Sequence, residues 1–389
     1  MARGVSFRWV LSRISALFVV ASLLVSVAAA QQTITGVTAD GTLYRFIVPS
    51  PWNGQLVVYA HGAVPAGAPI ALPNNSLELQ MFAALASQGF AVAMSSYAEN
   101  GWAEKNGAQT TQQLLGLFTT QISAPTRTYL AGTSLGGLIV VDLVERFPDQ
   151  YDGALALCGV VGGAHLQFQH EGDGRVLFDY FFPGVLPSDL LHTPNLDFSP
   201  GSPTFTAVAN ALSIGLATPG QPTLQFANVA GLPGSTPDEI VFSGITLVGD
   251  SLGFNELLQR THGHNFYDNT GTVYSGSADD IALNTGVQRF SATPAGLSYI
   301  AKYYTPTGHL RIPMLTLHTT QDPTVSFSQE HAYADAVAAA GASQFLVQQF
   351  VTRYGHCNLK PEEILGSFQD LLLWVNFGIT PPGGEVTVP

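Results

Sequence analysis

The stretch TYLAGTSLGGL, from Thr128 through Ser134 to Leu138, decides how the rest of the chain is read. Residues 128–131 form a short apolar strand, 132–137 a glycine-rich corner, and 138–146 a helix closed by Pro148. Within the corner, Gly132-Thr133-Ser134-Leu135-Gly136 fits G-x-S-x-G at a strand-to-helix turn, the setting in which that pattern has chemical meaning. Glycines on both sides permit a strained turn that lifts the Ser134 hydroxyl above the end of a sheet. The helix N-terminus behind it offers amide groups and a positive dipole end to a developing negative charge.

Outward from that corner, strands and helices alternate. On the N-terminal side, 33–35 and Leu43–Val48 read as short edge strands and Gln55–Ala60 (QLVVYA) as a buried one ending at His61-Gly62. The segment 77–88 has helical periodicity, 89–95 (GFAVAMS) is a second buried strand, and 109–122 is a helix. On the C-terminal side, Gly153–Leu157 is a strand. The alternation then stops over 161–310, which is rich in Pro, Gly, Asn, Ser and Phe, with only short helical pieces such as 254–261 expected. It resumes with a strand at 314–318, a helix at 326–340, a strand at 344–351 and a helix at Pro361–Phe377. Strands apolar throughout, alternating with helices, predict an α/β fold with a mainly parallel sheet covered on both faces. So long an irregular stretch is no ordinary connection. The division read from this is a core of 31–160 and 311–389 interrupted by an inserted cap, 161–310.

Composition narrows the function. The 389 residues are 46% hydrophobic and only 11% charged, with 14 Lys+Arg against 27 Asp+Glu and a net charge of −13. That is too apolar for a disordered chain. It also offers no basic patch to neutralise phosphates, which excludes nucleic acid as an expected partner and disfavours anionic membrane surfaces. Residues 1–30 read as a secretory signal: Arg3, Arg8 and Arg13, an uncharged apolar run over 14–27, then Ala28-Ala29-Ala30 before Gln31. The run is shorter than the ~20 residues a membrane span needs. The expectation is an exported protein, secreted or periplasmic, without stable membrane insertion once the signal is removed near Ala30. In an oxidising compartment an even count of two cysteines, Cys158 and Cys357, points to a disulfide.

On these residues the chain resembles the α/β-hydrolase superfamily, through both halves of the core. The resemblance implies a chain order of nucleophile, acid, histidine. Asp322, in Asp322-Pro323-Thr324-Val325 just after the strand 314–318, is similar to the family's acid turn. His356, in Tyr354-Gly355-His356-Cys357, follows the strand 344–351. An acid one strand earlier has no candidate, because Cys158-Gly-Val-Val-Gly-Gly163 contains no carboxylate. His331 falls inside a helix. The implied roles are Ser134 as nucleophile, His356 as its base and Asp322 as the group that fixes the imidazole's tautomer. The oxyanion donors implied are the N–H of Leu135 and of Ala63, the latter in His61-Gly62-Ala63, which lacks the HGGG form of one esterase branch. His61 and Gly62 are assigned to supporting that loop. A Cys158–Cys357 bridge would clamp the histidine loop. A tannase-like branch instead places its cysteines next to both Ser and His, and Thr133 breaks that pattern here.

Other motifs receive plainer readings. Gly249-Asp250-Ser251-Leu252 spells the GDSL signature of a separate esterase family. It lies mid-chain with no late Asp-x-x-His, and so reads as a turn and helix cap. His262, His264 and Asp268 are read as a polar loop rather than a metal site, and Glu171-Gly-Asp173-Gly lacks an ordered calcium-ligand series. Phe178, Tyr180, Phe181 and Phe182 are read as cap packing. The reading that results is a serine hydrolase of a small-molecule or polymeric carboxylic ester, apolar or neutral, requiring no cofactor and no metal. A peptidase or amidase of the same superfamily and a non-catalytic binding protein on the same scaffold remain as alternatives.

Overall fold

The computed structural model describes residues 31–192 and 196–386; the secretory segment expected over 1–30 lies outside them. Nine strands form one sheet: β1 (Gln32–Val37), β2 (Leu43–Val48), β3 (Gln55–Ala60), β4 (Ala91–Ser95), β5 (Arg127–Thr133), β6 (Gly153–Leu157), β7 (Met314–Gln321), β8 (Leu346–Tyr354) and β9 (Gly384–Glu385). Their order across the sheet is β1-β2-β4-β3-β5-β6-β7-β8-β9. β2 runs antiparallel to both β1 and β4, and every other pairing is parallel. The crossovers within the sheet use α1 (Ser76–Ser87), α2 (Glu104–Gln121) and α3 (Leu135–Arg146).

Between β6 and β7 come α4 (Ala164–Phe181), α5 (Pro203–Ala217), α6 (Pro222–Ala230), α7 (Pro237–Ser251), α8 (Phe254–Arg260), α9 (Asp280–Gly286) and α10 (Pro294–Tyr304). The helices α11 (Ser328–Ala339) and α12 (Pro361–Phe377) complete the chain's return through the sheet. No helix among the described residues is long and apolar enough to cross a membrane.

The period-2 pattern of the strands divides the core into two layers. Leu56, Val58 and Ala60 of β3 lie on the face covered by α2 and α3, in one cluster with Phe118, Ile139 and, further along the sheet, Tyr333 of α11. Val57 and Tyr59 lie on the opposite face, where Phe82 of α1 packs on Tyr59 and Phe368 and Trp374 of α12 belong to the same cluster. Both faces of the central strands are therefore dry, which is why β4 and β6 are buried at every position.

The stretch between β6 and β7 adds no strand to the sheet among the described residues, and it is far more helical than its composition predicts. α4, α5 and α7 run 18, 15 and 15 residues. The prolines that read as breakers are starters: Pro203, Pro222, Pro237 and Pro294 each open a helix, where a missing N–H costs nothing and the fixed φ is already helical. Ser202, Thr236 and Thr293 cap three of those starts with side-chain acceptors. Gly172 and Gly174, mid-helix in α4, leave room for Tyr267 and Leu247 to press on the backbone. Around them Phe168, Phe178, Phe226, Phe254 and Phe266 form a third apolar cluster, resting on Leu135 and Leu138 of the core.

Candidate active site

β5 runs straight into α3 with Ser134 as the residue between them, so the helix starts at Leu135, three residues before the sequence pattern placed it. Ser134 has φ 55° and ψ −120°, a conformation a side chain rarely adopts. The turn is tight because a side chain at Gly132 would strike the Gly136 carbonyl, and one at Gly136 the Ala60 carbonyl. Tyr97, Cys158 and Cys357 also hold positive φ, so four of the six such non-glycine residues described gather at this rim. Backbone strain of this kind, order 1–3 kcal/mol per residue, persists only where surrounding packing enforces it.

The ends of β7 and β8 bring two more groups to Ser134. His356 Nε2 lies 3.0 Å from Ser134 Oγ, and His356 Nδ1 lies 2.8 Å from Asp322 Oδ2. The other oxygen of Asp322 accepts from the Thr324 and Val325 N–H groups, both at 2.9 Å, which fixes the carboxylate plane. Burial would raise the Asp322 carboxyl. The charge of His356 and hydrogen bonds from His318 and His356 outweigh it, and Asp322 sits well below the usual carboxylate range.

Behind Asp322 is a buried network that sequence reasoning missed. His318, fully buried within β7, lies 3.5 Å from Asp322 Oδ2. Its Nδ1 faces Glu330 Oε1 at 3.2 Å and its Nε2 the Val325 carbonyl at 3.0 Å, so both ring nitrogens meet acceptors. Burial alone would lower His318; the hydrogen bonds and charges of Asp322 and Glu330 overcome it and raise the ring to about 9. His318 is thus a buried imidazolium at neutral pH. Glu330 also accepts from Thr316 and Gln348, at 2.5 and 2.6 Å. The spacing of His318, Asp322 and Glu330 along the chain carries no recognisable motif. Only the packing of α11 back against β7 brings them together.

On the other side of Ser134, the loop after β3 supplies Gly62 and Ala63. A Cβ at Gly62 would sit 3.2 Å from that of Ser134, so the backbone passes close over the hydroxyl. His61 stacks on Tyr97 with ring centroids 3.7 Å apart, and Tyr97 Oη donates to the His61 carbonyl at 2.9 Å. Burial lowers the His61 ring, which stays neutral. Leu135, the first residue of α3, has an N–H without an intrahelical acceptor.

A cleft of about 400 Å³ opens over Ser134 and His356, walled by Ala63, Leu72, Asn74, Glu78 and Thr133 among others. Its lining residues all come from 61–78, 133–134 and 356–357, and none from the insertion with its many phenylalanines. Those phenylalanines are spent on each other: Phe178, Phe182 and Phe226 pack ring against ring.

Cys158 and Cys357 form a disulfide joining the end of β6 to the residue after His356. Tyr354, two residues before His356, bonds Ser243 Oγ and the Glu239 carbonyl of α7, both at 2.9 Å. The histidine loop is therefore held on both sides.

Of the remaining motifs, His262 and His264 are exposed, and the Asp268 oxygens are taken up by Thr270, Ser291 and Ala292, so the three do not converge. Asp173 accepts from the Tyr267 and Tyr274 hydroxyls at 2.8 and 2.6 Å, as a staple within the insertion. The Gly249–Leu252 stretch ends α7 but caps no helix start. This corrects the sequence reading, because Ser251 turns its hydroxyl to the Val248 carbonyl of its own helix and Asp250 Oδ2 finds no partner among the described residues.

The strand order, the parallel crossovers and the strained serine turn are those of the α/β-hydrolase fold. No family model matches the chain. It is 26% identical over 171 residues to an uncharacterized esterase of Agrobacterium fabrum, covering 39% of this chain and 31% of that protein, so the match spans under a third of the curated relative's length. Among solved structures it is similar to tannin acyl hydrolase from Aspergillus niger, with 13% identity, a TM-score of 0.47, and 90% of this chain and 79% of that one covered. Feruloyl esterase B from Aspergillus oryzae is similar at 14% identity and a TM-score of 0.44, covering 90% of this chain and 80% of that one.

Proposed function

We propose that this protein is an exported serine hydrolase that cleaves a carboxylic ester through an acyl-enzyme on Ser134. The observation that carries the reading is the continuous relay from Ser134 Oγ through His356 to Asp322, at 3.0 and 2.8 Å. A serine hydroxyl is a weak nucleophile at neutral pH, so His356 Nε2 takes its proton as Oγ attacks the ester carbonyl. Asp322, ionised and hydrogen-bonded to Nδ1, holds the productive tautomer and stabilises the imidazolium. The N–H groups of Leu135 and Ala63 receive the oxyanion. The imidazolium then protonates the departing alcohol, and water repeats the sequence to release the acid. The alcohol or acyl group of the substrate occupies the cleft formed by 61–78, whose mixed Ala, Pro, Leu and Asn walls suit a neutral ester. The esterase of Agrobacterium fabrum, similar over part of the chain, adds support for ester over amide.

Ser134→Ala should reduce hydrolysis of 4-nitrophenyl acetate and butyrate by about 10⁴-fold or more. Retention of most of the activity overturns the assignment. Faster turnover of aminoacyl nitroanilides than of the nitrophenyl esters would move the reading to a peptidase.

A further inference from the structure

One oxygen of Asp322 is shared between two imidazoles. His356 Nδ1 lies 2.8 Å from Oδ2 on the side of Ser134, and His318 Nε2 lies 3.5 Å from the same atom on the side of the sheet. The other contacts of His318 fix its ring. Nδ1 donates to Glu330 Oε1 at 3.2 Å and Nε2 to the Val325 carbonyl at 3.0 Å, while the Val325 N–H donates to Asp322 Oδ1 at 2.9 Å. His318 thus meets the acid turn at two points, the carboxylate and the peptide three residues on. The ring is fully buried and meets Phe327 edge-on, with centroids 5.8 Å apart.

A neutral imidazole carries one N–H and one lone pair. With oxygen acceptors at both nitrogens, a neutral His318 would set its lone pair against a buried oxygen, a cost that a second proton removes. The contacts alone therefore ask for a cation, in keeping with a ring raised to about 9 by Asp322 and Glu330. His356, Asp322, His318 and Glu330 stand in that order, each beside the next. Asp322 by itself would draw a proton onto His356 before substrate arrives, and a protonated base cannot accept one from Ser134. A cation on the far side of the same oxygen offsets that pull.

Other charged groups around this row are few. Phe350 of β8 is the register partner of His318, β6 carries no ionisable residue, and α12 covers the opposite face of β7, where Leu315 and Leu317 lie. Arg353 of β8 is paired with Glu363 of α12. The Tyr333 and Tyr354 phenols, near Glu330 and Asp322, are raised by burial and stay neutral. From the insertion, Asp250 of α7 interacts with His356 and Asp322, and Glu171 of α4 with Asp250.

We propose that His318 is a positioning residue for the reaction: as a buried imidazolium it holds Asp322 ionised and in place, and by sharing that carboxylate it keeps His356 unprotonated in the resting enzyme. The inference rests on the serine-hydrolase reading and adds no step to it, since the proton still passes from Ser134 to His356 to the leaving alcohol.

The test is the pH profile of kcat/KM for 4-nitrophenyl butyrate from pH 5 to 9. It compares wild type with His318→Gln and His318→Asn, each normalised to the fraction of Ser134 labelled by a fluorophosphonate. Loss of the cation should move the acid limb to higher pH by roughly one unit, about a tenfold loss below the limb, with a smaller fall of the plateau. A lower plateau with the limb unmoved would mark His318 as structural only and overturn the proposal, as would an unchanged profile or a limb moved to lower pH. Should neither variant fold, the wild-type enzyme labelled with ¹⁵N-histidine decides. At pH 8, where a surface histidine is neutral, one imidazole should still carry protons on both nitrogens, and a spectrum in which every imidazole is neutral overturns the proposal. Failure of wild-type Ser134 to label would instead remove the hydrolase reading beneath it.

Discussion

Two sets of buried acids flank the His356–Asp322 pair, and they are built in opposite ways. On the sheet side, Glu330 and Asp322 are matched to His318, Thr316, Gln348 and backbone N–H groups. On the insertion side, Glu171 and Asp250 each keep an oxygen without a partner among the described residues. The sheet side grew from strands and a returning helix, whose regular spacing lets each polar group find a counterpart. The insertion side meets it through packed helices, where Gln167 satisfies one oxygen of Glu171 and the other is left over. The first set is matched group for group, and the second is not.

The largest effect that could break this contrast is on rate. Asp322→Asn should lower kcat by about 10⁴-fold by allowing the wrong imidazole tautomer, against a much smaller loss for Asp250→Asn, whose buried Oδ2 has no hydrogen-bond partner among the described residues. Comparable losses from the two variants would erase the distinction. Next comes stability: Glu330→Ala removes one of the two carboxylates that face the buried His318 ring and should cost about 3 kcal/mol in urea unfolding. Glu171→Gln removes a carboxyl that burial makes costly to ionise, and should leave stability at pH 8 unchanged or higher by about 1 kcal/mol. A loss for Glu171→Gln as large as that for Glu330→Ala would show the two sides to be equivalent.

The gentlest test is the pH dependence of Tm. His318 is raised from 6.5 to about 9 in the folded protein. Its contribution is complete below about 6.5 and is lost as pH rises through about 9. Wild-type Tm should fall across that interval more steeply than that of His318→Gln; parallel curves would mean the ring is neutral.

How far the sequence could be read follows the same division. The strand positions, the turn at Ser134, and the placement of Asp322 and His356 after later strands were legible because apolar alternation and a glycine-flanked serine are local signals. The onset of α3 was misplaced because Gly136 and Gly137 read as loop when they are helical. The insertion was misread because a proline alone does not say whether it stops a helix or starts one. Ser202, Thr236 and Thr293, each directly before a proline, were the signal available. Nothing local marks His318 or Glu330, whose meeting with the relay depends on how a distant helix returns to the sheet.

The bridge from Cys158 to Cys357 spans 199 positions and encircles every residue of the insertion. A protease that nicks any exposed turn between 161 and 310 would leave two fragments, one bearing the hydroxyl and the other the acid and the imidazole, still fastened to one another. They would run as one band without reductant and as two with it. The covalent ring thus makes the insertion a part that can be shortened, cut or exchanged while the two halves of the reactive centre stay tethered.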